Sequence, residues 1–416
     1  LRKLIVLFSS VIIFLPIILL LKIFNFFFEF RILAISSILG GNMNLYPYFI
    51  KKEKGYFKNK LHIFYISNID RVYKNESLYN LFWLKCLFNH LSPVKIENKK
   101  LFFVYNKFWE FVLITAQRFN IKNFILILND IHKKNKKSEK IIIKYYEEKL
   151  KPLVNINFSL KGFKLNNFSL EKNLISFVNR DPAYKKKQYP EMNMSYHDFR
   201  NFEVEDFRLA IKNFNKKNFS IIRMGNVTEK KLDIESSKYY DFSLHSNRTG
   251  ELETFIISKS KFFVGPESGL DKIAAFFNIP IVYVNIHCLL WRPFFLNRCI
   301  FIPQKLKNLR NGKLFSFKEM LNENFMKNND NIPLGLYIKT TDYNDNNIKV
   351  INNTAEEINT AMEEMEFYLK NNFNLSQEDR EIQNSFWKLF GDDYPVNKTH
   401  IISPTFLKKN IDLLNC

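Results

Sequence analysis

The 416-residue chain is poor in cysteine: Cys86, Cys288, Cys299 and Cys416 are scattered, and none is spaced as C-x-x-C. That density excludes a disulfide-stapled scaffold and a four-thiolate zinc site, and it points to a reducing compartment. The seven histidines are equally dispersed, with no H-E-x-x-H, and no D-x-D occurs anywhere, so no metal-binding motif is written in the chain. No internal repeat is present. Acid is also scarce, with 41 Asp and Glu against 62 Lys and Arg, a formal net charge of +21. Such a balance suits an anionic partner: nucleic acid, an acidic lipid surface or a phosphorylated small molecule. Lys133, Lys134, Lys136 and Lys137 typify the excess, which reads as solvated surface and not as a designed stripe. The aromatics fall on core positions of strands and helices, so no nucleic-acid partner is expected.

At 46% hydrophobic, the chain exceeds what a single core fills, since cores stop growing near roughly 250–300 residues, and two lobes are expected. Residues 4–21 are apolar apart from Ser9, Ser10 and Pro16, and a second apolar stretch follows Lys22 as far as residue 39. A membrane span needs about 20 such residues, so an uncleaved N-terminal anchor helix is the reading, with a cleaved signal peptide behind Arg2 and Lys3 as its rival. Lys51, Lys52, Lys54, Lys58 and Lys60 favour a cytoplasmic position for the remainder.

Beyond the anchor, an apolar stretch from residue 31 closes on Gly40-Gly41-Asn42. Strand-like runs at 61–66, 101–104 and 124–128 alternate with helical patterns at 78–91 and 109–119, which predicts an α/β lobe. A Lys/Asn-rich linker covers 129–173, with a short helical piece at 141–150. The second half reads as strand 174–178, a helix at 204–214 with Val204, Phe207, Ile211 and Phe214 on one face, and strand 219–224. A strand at 239–244 and a helix at 251–259 follow. Then come strand 261–264, the turn Gly265-Pro266-Glu267-Ser268-Gly269, helix 270–278 and strand 281–284. Right-handed crossovers make these strands parallel. Past residue 310 the pattern weakens, apart from an amphipathic helix at 355–369. The predicted organisation is therefore an anchor at 1–40, a Rossmann-like lobe at 41–165, a second Rossmann-like lobe at 166–310, and an extension at 311–416 whose helices pack back on the lobes.

Three features carry chemistry. In the 265–269 turn, Gly265 and Gly269 allow close approach of a ligand, Glu267 lies at the tip, and Ser268 with Asp271 three residues on forms a capping-box-like start to the next helix. Backbone N–H groups there would receive a diphosphate at the C-terminal edge of a parallel sheet. Arg180, just past the end of its strand, and Arg223, before Gly225, project from the same edge and could neutralise a leaving diphosphate. The bland alternatives are a plain strand-to-helix turn and surface arginines paired with Asp181 or Asp206. For a base, Asp181 and Asp70 are the candidates. Glu203 and Glu205 precede a helix, where acid simply favours the N-terminus.

The segments Val178-Asn179-Arg180-Asp181-Pro182-Ala183-Tyr184, Tyr196-His197-Asp198-Phe199-Arg200-Asn201, Ile221-Ile222-Arg223-Met224-Gly225 and Phe262-Phe263-Val264-Gly265-Pro266-Glu267-Ser268-Gly269 resemble a family of bacterial glycosyltransferases. Ile402-Ser403-Pro404-Thr405-Phe406-Leu407 is similar to its C-terminal pattern. More distantly, the Gly265 turn resembles that of heptosyltransferases and other two-lobed GT-B enzymes, and the Arg180 segment resembles the His-x-Arg segment of fucosyltransferases. The resemblance implies a GT-B fold with an N-terminal acceptor lobe and a C-terminal donor lobe. It also implies that Arg180, Arg223, Gly225 and the 265–269 turn, including Glu267 and Ser268, surround the donor phosphates. It departs at Val178, where the family often has His, and at Gly40-Gly41-Asn42, which replaces a Gly-His pattern. The implied activity is metal-independent transfer from a nucleotide-sugar donor to a glycan or lipid-linked acceptor of the cell envelope, at the bacterial inner membrane. No cofactor is expected, because the nucleotide sugar is a substrate. A non-catalytic membrane-tethered scaffold with a decayed donor site and a basic nucleic-acid-binding protein are the rival readings.

Overall fold

The computed structural model describes residues 10–27, 29–57, 60–74, 79–119, 152–160, 165, 168, 173–287, 289, 298–321, 340–391 and 396–414. The expected strand at 124–128, the expected helix at 141–150, Cys288 and Cys416 lie outside the described residues. The chain divides into two compact units, one formed by Leu1–Ser138 with Leu153–Asn157 and Thr249–Glu251, the other by Glu139–Pro152, Phe158–Arg248 and Leu252–Cys416.

In the first unit, a π-turn at Ser10–Phe14 leads into the helix Leu15–Phe27. Strands β1 (Glu29–Ile35) and β2 (Lys60–Ile66) then pair in parallel, with Ile32 opposite Ile63. Between them lie a 3-10 segment, Leu39–Leu45, and the helix Tyr46–Glu53. Helices Ile69–Lys74, Leu81–Leu91 and Lys99–Arg118 follow. A Rossmann-like sheet is thus represented here, among the described residues, by two parallel strands. The strand expected at 101–104 is instead the first turn of the helix Lys99–Arg118, because Asn98 caps it, its side chain accepting from Lys100 N at 3.0 Å and Leu101 N at 3.1 Å. Phe102, Asn106, Val112 and Ala116 then turn inward at helical spacing, which a short apolar run does not distinguish from a strand.

The expected anchor at 1–40 finds no support among the described residues. Among the described residues, no helix is long and apolar enough to cross a membrane. The helix Leu15–Phe27 continues without a break from the π-turn Ser10–Phe14. One of its sides is packed into the unit: Ile18 is buried with Ile32, Ile63, Tyr65, Val112 and Ala116.

The second unit is built on seven parallel strands in the order β11-β8-β7-β6-β3-β4-β5. They are β3 (Leu174–Phe177), β4 (Ser220–Arg223), β5 (Tyr239–Asp241), β6 (Phe262–Gly265), β7 (Ile281–Ile286), β8 (Cys299–Pro303) and β11 (His400–Ile402). β3, β4, β6, β7 and β8 are buried along their whole length and rich in Ile, Val and Phe, as parallel strands covered on both faces must be. The chain winds outward from β3 through β4 to β5, then returns to the other side of β3 as β6 and continues through β7 and β8. This is a doubly wound order whose switch point lies between β3 and β6.

The extension expected at 311–416 belongs to this unit and supplies more than helices. β11 forms an edge of the sheet beside β8, and β10 (Ile348–Ile351) pairs antiparallel with β9 (Lys305–Asn308). The helix Ala355–Lys370 begins with a reciprocal capping box between Thr354 and Glu357, worth about 1 kcal/mol, and buries Ile358, Ala361, Met362 and Met365.

Candidate functional site

At the switch point two chain exits run side by side. Val178 N donates to Val264 O at 2.9 Å, extending the β3–β6 pairing by one bond. A Cβ on Gly265 would stand 2.8 Å from both Val178 Cγ1 and Val178 O, so only glycine lets the exits close together. Phe202 N donates to Arg180 O at 3.1 Å, which ties the 3-10 segment Ser195–Arg200 to the β3 exit. Arg200 Nη2 in turn donates to Glu267 O at 2.9 Å, reaching the β6 turn. The helix Ala183–Gln188 brings in Lys185, whose Nζ donates to Gln188 Oε1 and lies 5.0 Å from the Tyr189 ring centre.

These elements bring basic groups into one electrostatic neighbourhood. Burial, then Arg200, pushes the Arg180 guanidinium down to about 9. Burial, then Arg180 and Arg200, pushes the Lys185 ammonium down to about 8. His197 falls to about 4 through burial and the charges of Arg180, Arg200 and Lys185. His287, at the end of β7, is held well below its ordinary range by burial, then Arg200 and Arg180. Like charges penalise one another when partly desolvated, so an anion placed among them relieves a cost already present. Asp198 is the carboxylate that opposes the Arg180 shift, without an ion-pair contact to it among the described residues.

Glu267, half-buried in the turn, has its carboxyl pushed up to about 7, mainly by burial; Lys272 and Arg200 oppose that shift and Asp271 adds to it. Asp271 is fully buried, and its arrangement differs from the expected capping box. Its Oδ1 accepts from Ser268 N at 3.0 Å and Ser268 Oγ at 3.3 Å, while Oδ2 accepts from Lys272 Nζ at 2.6 Å and Tyr283 OH at 2.7 Å. Ser268 is therefore a donor to Asp271 and does not cap the helix Leu270–Phe276, whose N-cap residue, Gly269, makes no side-chain bond. The carboxylate's work is to hold the turn's shape.

The other expected site residues are placed as follows. Arg223 is wholly buried beneath the edge: Nη1 donates to Asp241 Oδ2 at 2.9 Å and Lys230 O at 2.7 Å, and Nε and Nη2 donate to Asn179 Oδ1 at 3.3 and 3.0 Å. It braces the residue next to Arg180 and presents no surface to a phosphate. Gly225 follows with φ 144°, a conformation that side chains rarely adopt, and its carbonyl accepts from Arg248 Nη1. Asp181 accepts from Ala183 N at 3.0 Å and Glu229 N at 3.2 Å, so both oxygens already fasten the Arg180 loop. Asp70 pairs with Lys107 in the first unit. Among the described residues, no group of three or more His, Cys, Asp or Glu stands where it could hold a metal ion.

Arg180 is recognisable in the sequence by its place after a strand, whereas Arg200, Lys185, His197 and His287 are not. Arg200 and His197 sit in a segment noted only for its resemblance, and nothing in the sequence separates Lys185 from Lys186 and Lys187. No protein-family model matches the chain, and no curated protein matches it. Among solved structures, it is similar to the ADP-heptose LPS heptosyltransferase II of E. coli, at 16% identity and a TM-score of 0.32, over 65% of this chain and 90% of that one. It is also similar to a family 9 glycosyl transferase from Veillonella parvula, at 11% identity and a TM-score of 0.30, over 61% and 80%. Similarity of this degree carries neither the fold nor the activity.

Proposed function

We propose that the chain is a metal-independent glycosyltransferase that takes a sugar from a nucleotide-sugar donor, with the donor diphosphate bound where β3 and β6 end. The observation that supports this is the crowding of Arg180, Lys185 and Arg200, with His197 and His287, at the switch point of a doubly wound sheet. Ligands of such sheets sit in that crevice. When the bond between the anomeric carbon and the phosphate oxygen breaks, negative charge collects on the departing diphosphate, and fixed cations stabilise that charge without a metal. The new bond forms from an acceptor hydroxyl, whose proton needs a base. Asp181 has both oxygens engaged, whereas the Glu267 carboxyl, at about 7, has a proton affinity suited to exchange near neutrality. The choice of sugar transfer among diphosphate chemistries draws on the resemblance of the 178–184, 196–201, 221–225 and 262–269 segments, which also suggests a glycan or lipid-linked acceptor.

The test is thermal stabilisation by UDP, GDP, ADP and CMP, for the chain and for Arg180→Ala. A ligand at a hundred times its dissociation constant adds about 2.7 kcal/mol, which a melting curve resolves. Stabilisation by one nucleotide, lost in the variant, names the donor class for transfer assays. Stabilisation by none refutes the reading and favours a non-catalytic protein.

A further inference from the structure

The first unit carries an apolar surface for which donor binding has no use. Along the π-turn and helix from Ser10 to Phe27, one side faces protein: Phe14, Ile17 and Leu21 pack on the cluster around Ile18, and Phe14 stacks on Phe111 at 5.5 Å. The other side consists of Ile12, Ile13, Leu19, Leu20, Ile23 and Phe24, each between 51% and 60% exposed. At 3.6 residues per turn these positions share one side of the helix, with Pro16 among them, and extend about 20 Å along it.

We propose that this stripe lies in the surface of an anionic lipid bilayer, with the helix parallel to the membrane plane. Soluble proteins rarely leave a contiguous apolar patch of more than a few hundred Å² open to water. Protein partners are an unfavourable occupant, because protein interfaces carry about one hydrogen bond per 100–200 Å² and no side chain in this stripe can make one. Acyl chains ask for none. Lys22 is exposed beside the stripe, with a stem long enough to reach headgroups, and the net charge of +21 draws the chain to an anionic surface. Crossing is disfavoured by the helix's opposite side, which is already packed against protein; a helix lying in the interface buries one face only, about 5–10 Å deep.

The experiment is flotation of the full chain with phosphatidylglycerol/phosphatidylcholine vesicles and with phosphatidylcholine alone. The chain should float with the anionic vesicles and at least tenfold less with the neutral ones. Leu19→Gln/Leu20→Gln/Ile23→Gln should lose at least tenfold of the binding at an unchanged melting temperature, since the three positions are exposed. A fluorophore on Leu20→Cys should be quenched most by labels high on the acyl chain. Failure to float overturns the proposal, as does a triple variant that floats like the parent or quenching greatest from the bilayer centre. A chain that is dimeric without lipid and monomeric as the triple variant would assign the stripe to self-association instead.

Discussion

Arg180 lies just past β3 and Arg223 is the last residue of the adjacent parallel strand β4, and in sequence they invite the same role, yet the sheet gives them opposite surroundings. Arg223 stands in register with Phe177 of β3, has no exposed surface, and finds Asp241, Asn179 and the Lys230 carbonyl around its guanidinium. Arg180, three residues beyond Phe177, is half-buried and meets the like charges of Arg200 and Lys185, opposed in part by Asp198. A buried cation with its partners in place is framework, and removing it exposes its partners' desolvation cost. A half-buried cation among like charges marks a place where an arriving anion lowers the energy. The two are linked, because Asn179, which Arg223 holds, precedes Arg180 in the chain.

The contrast breaks first on stability. Arg223→Met leaves Asp241 buried without its cation, and a loss of about 3–5 kcal/mol in urea unfolding is expected. Arg180→Ala should cost little or nothing in the same measurement, because it removes a repelled charge, while erasing the roughly 2.7 kcal/mol that saturating nucleotide adds. If Arg223→Met lost under about 1 kcal/mol, or Arg180→Ala were the more destabilising, the assignment of framework and site would be reversed. A smaller effect is expected at Gly265→Ala. Its Cβ would press on the Val178 carbonyl, which as backbone cannot rotate away, and overpacking of this kind costs about 1–3 kcal/mol. Because the strain falls between the two exits that carry Arg180 and Glu267, nucleotide stabilisation should weaken with it. An alanine variant as stable as the parent would mean that the exits are not held this close.

The second unit was largely legible from sequence and the first much less so, for a physical reason. Strands such as Phe262–Gly265 and Ile281–Ile286 are short apolar runs bounded by Gly265, Pro280 and polar loops, and their alternation with helices announces a parallel sheet. The run at 101–104 looks alike in composition but is helical, because Asn98 caps it and its inward residues recur at three and four positions. In the apolar N-terminus hydropathy reports composition and not which side is packed: Ile18 and Leu20 are equally apolar, and one is buried while the other is 58% exposed. β11 was invisible: His400–Ile402 is three residues long and is selected by its neighbour β8. In the site, Arg180 could be found from its place after a strand. Arg200, Lys185 and His197 could not, because a 3-10 segment and a short helix carry them to the sheet edge by tertiary contacts with no periodic signature.

The finest distinction between site and framework is expected in pH. Sulfate is the suitable probe, since its own charge is constant through the range, and Arg180→Ala reports its general salting effect. Lys185 is held at about 8, below its ordinary 10.5, so its contribution to stability is complete above 10.5 and is lost as pH falls through about 8 and the ammonium charges. A bound anion favours that charge, takes up a proton and therefore binds more tightly at the lower pH. Glu267 acts in the same direction by the opposite route. Its carboxyl is raised from 4.5 to about 7, so its contribution is complete below 4.5 and is lost as pH rises through about 7, where the new negative charge also opposes an anion. His197, at about 4, stays neutral throughout and adds no slope. The sulfate-induced rise in melting temperature should therefore be larger at about pH 6 than at about pH 9, by an amount equivalent to a few-fold in affinity. Glu267→Gln should flatten the part of that slope around pH 7 and leave the part above 8, which belongs to Lys185 and Arg180. A shift that grows with pH, or one unchanged in Arg180→Ala, would show that the cations at the β3–β6 edge do not act together on an anion.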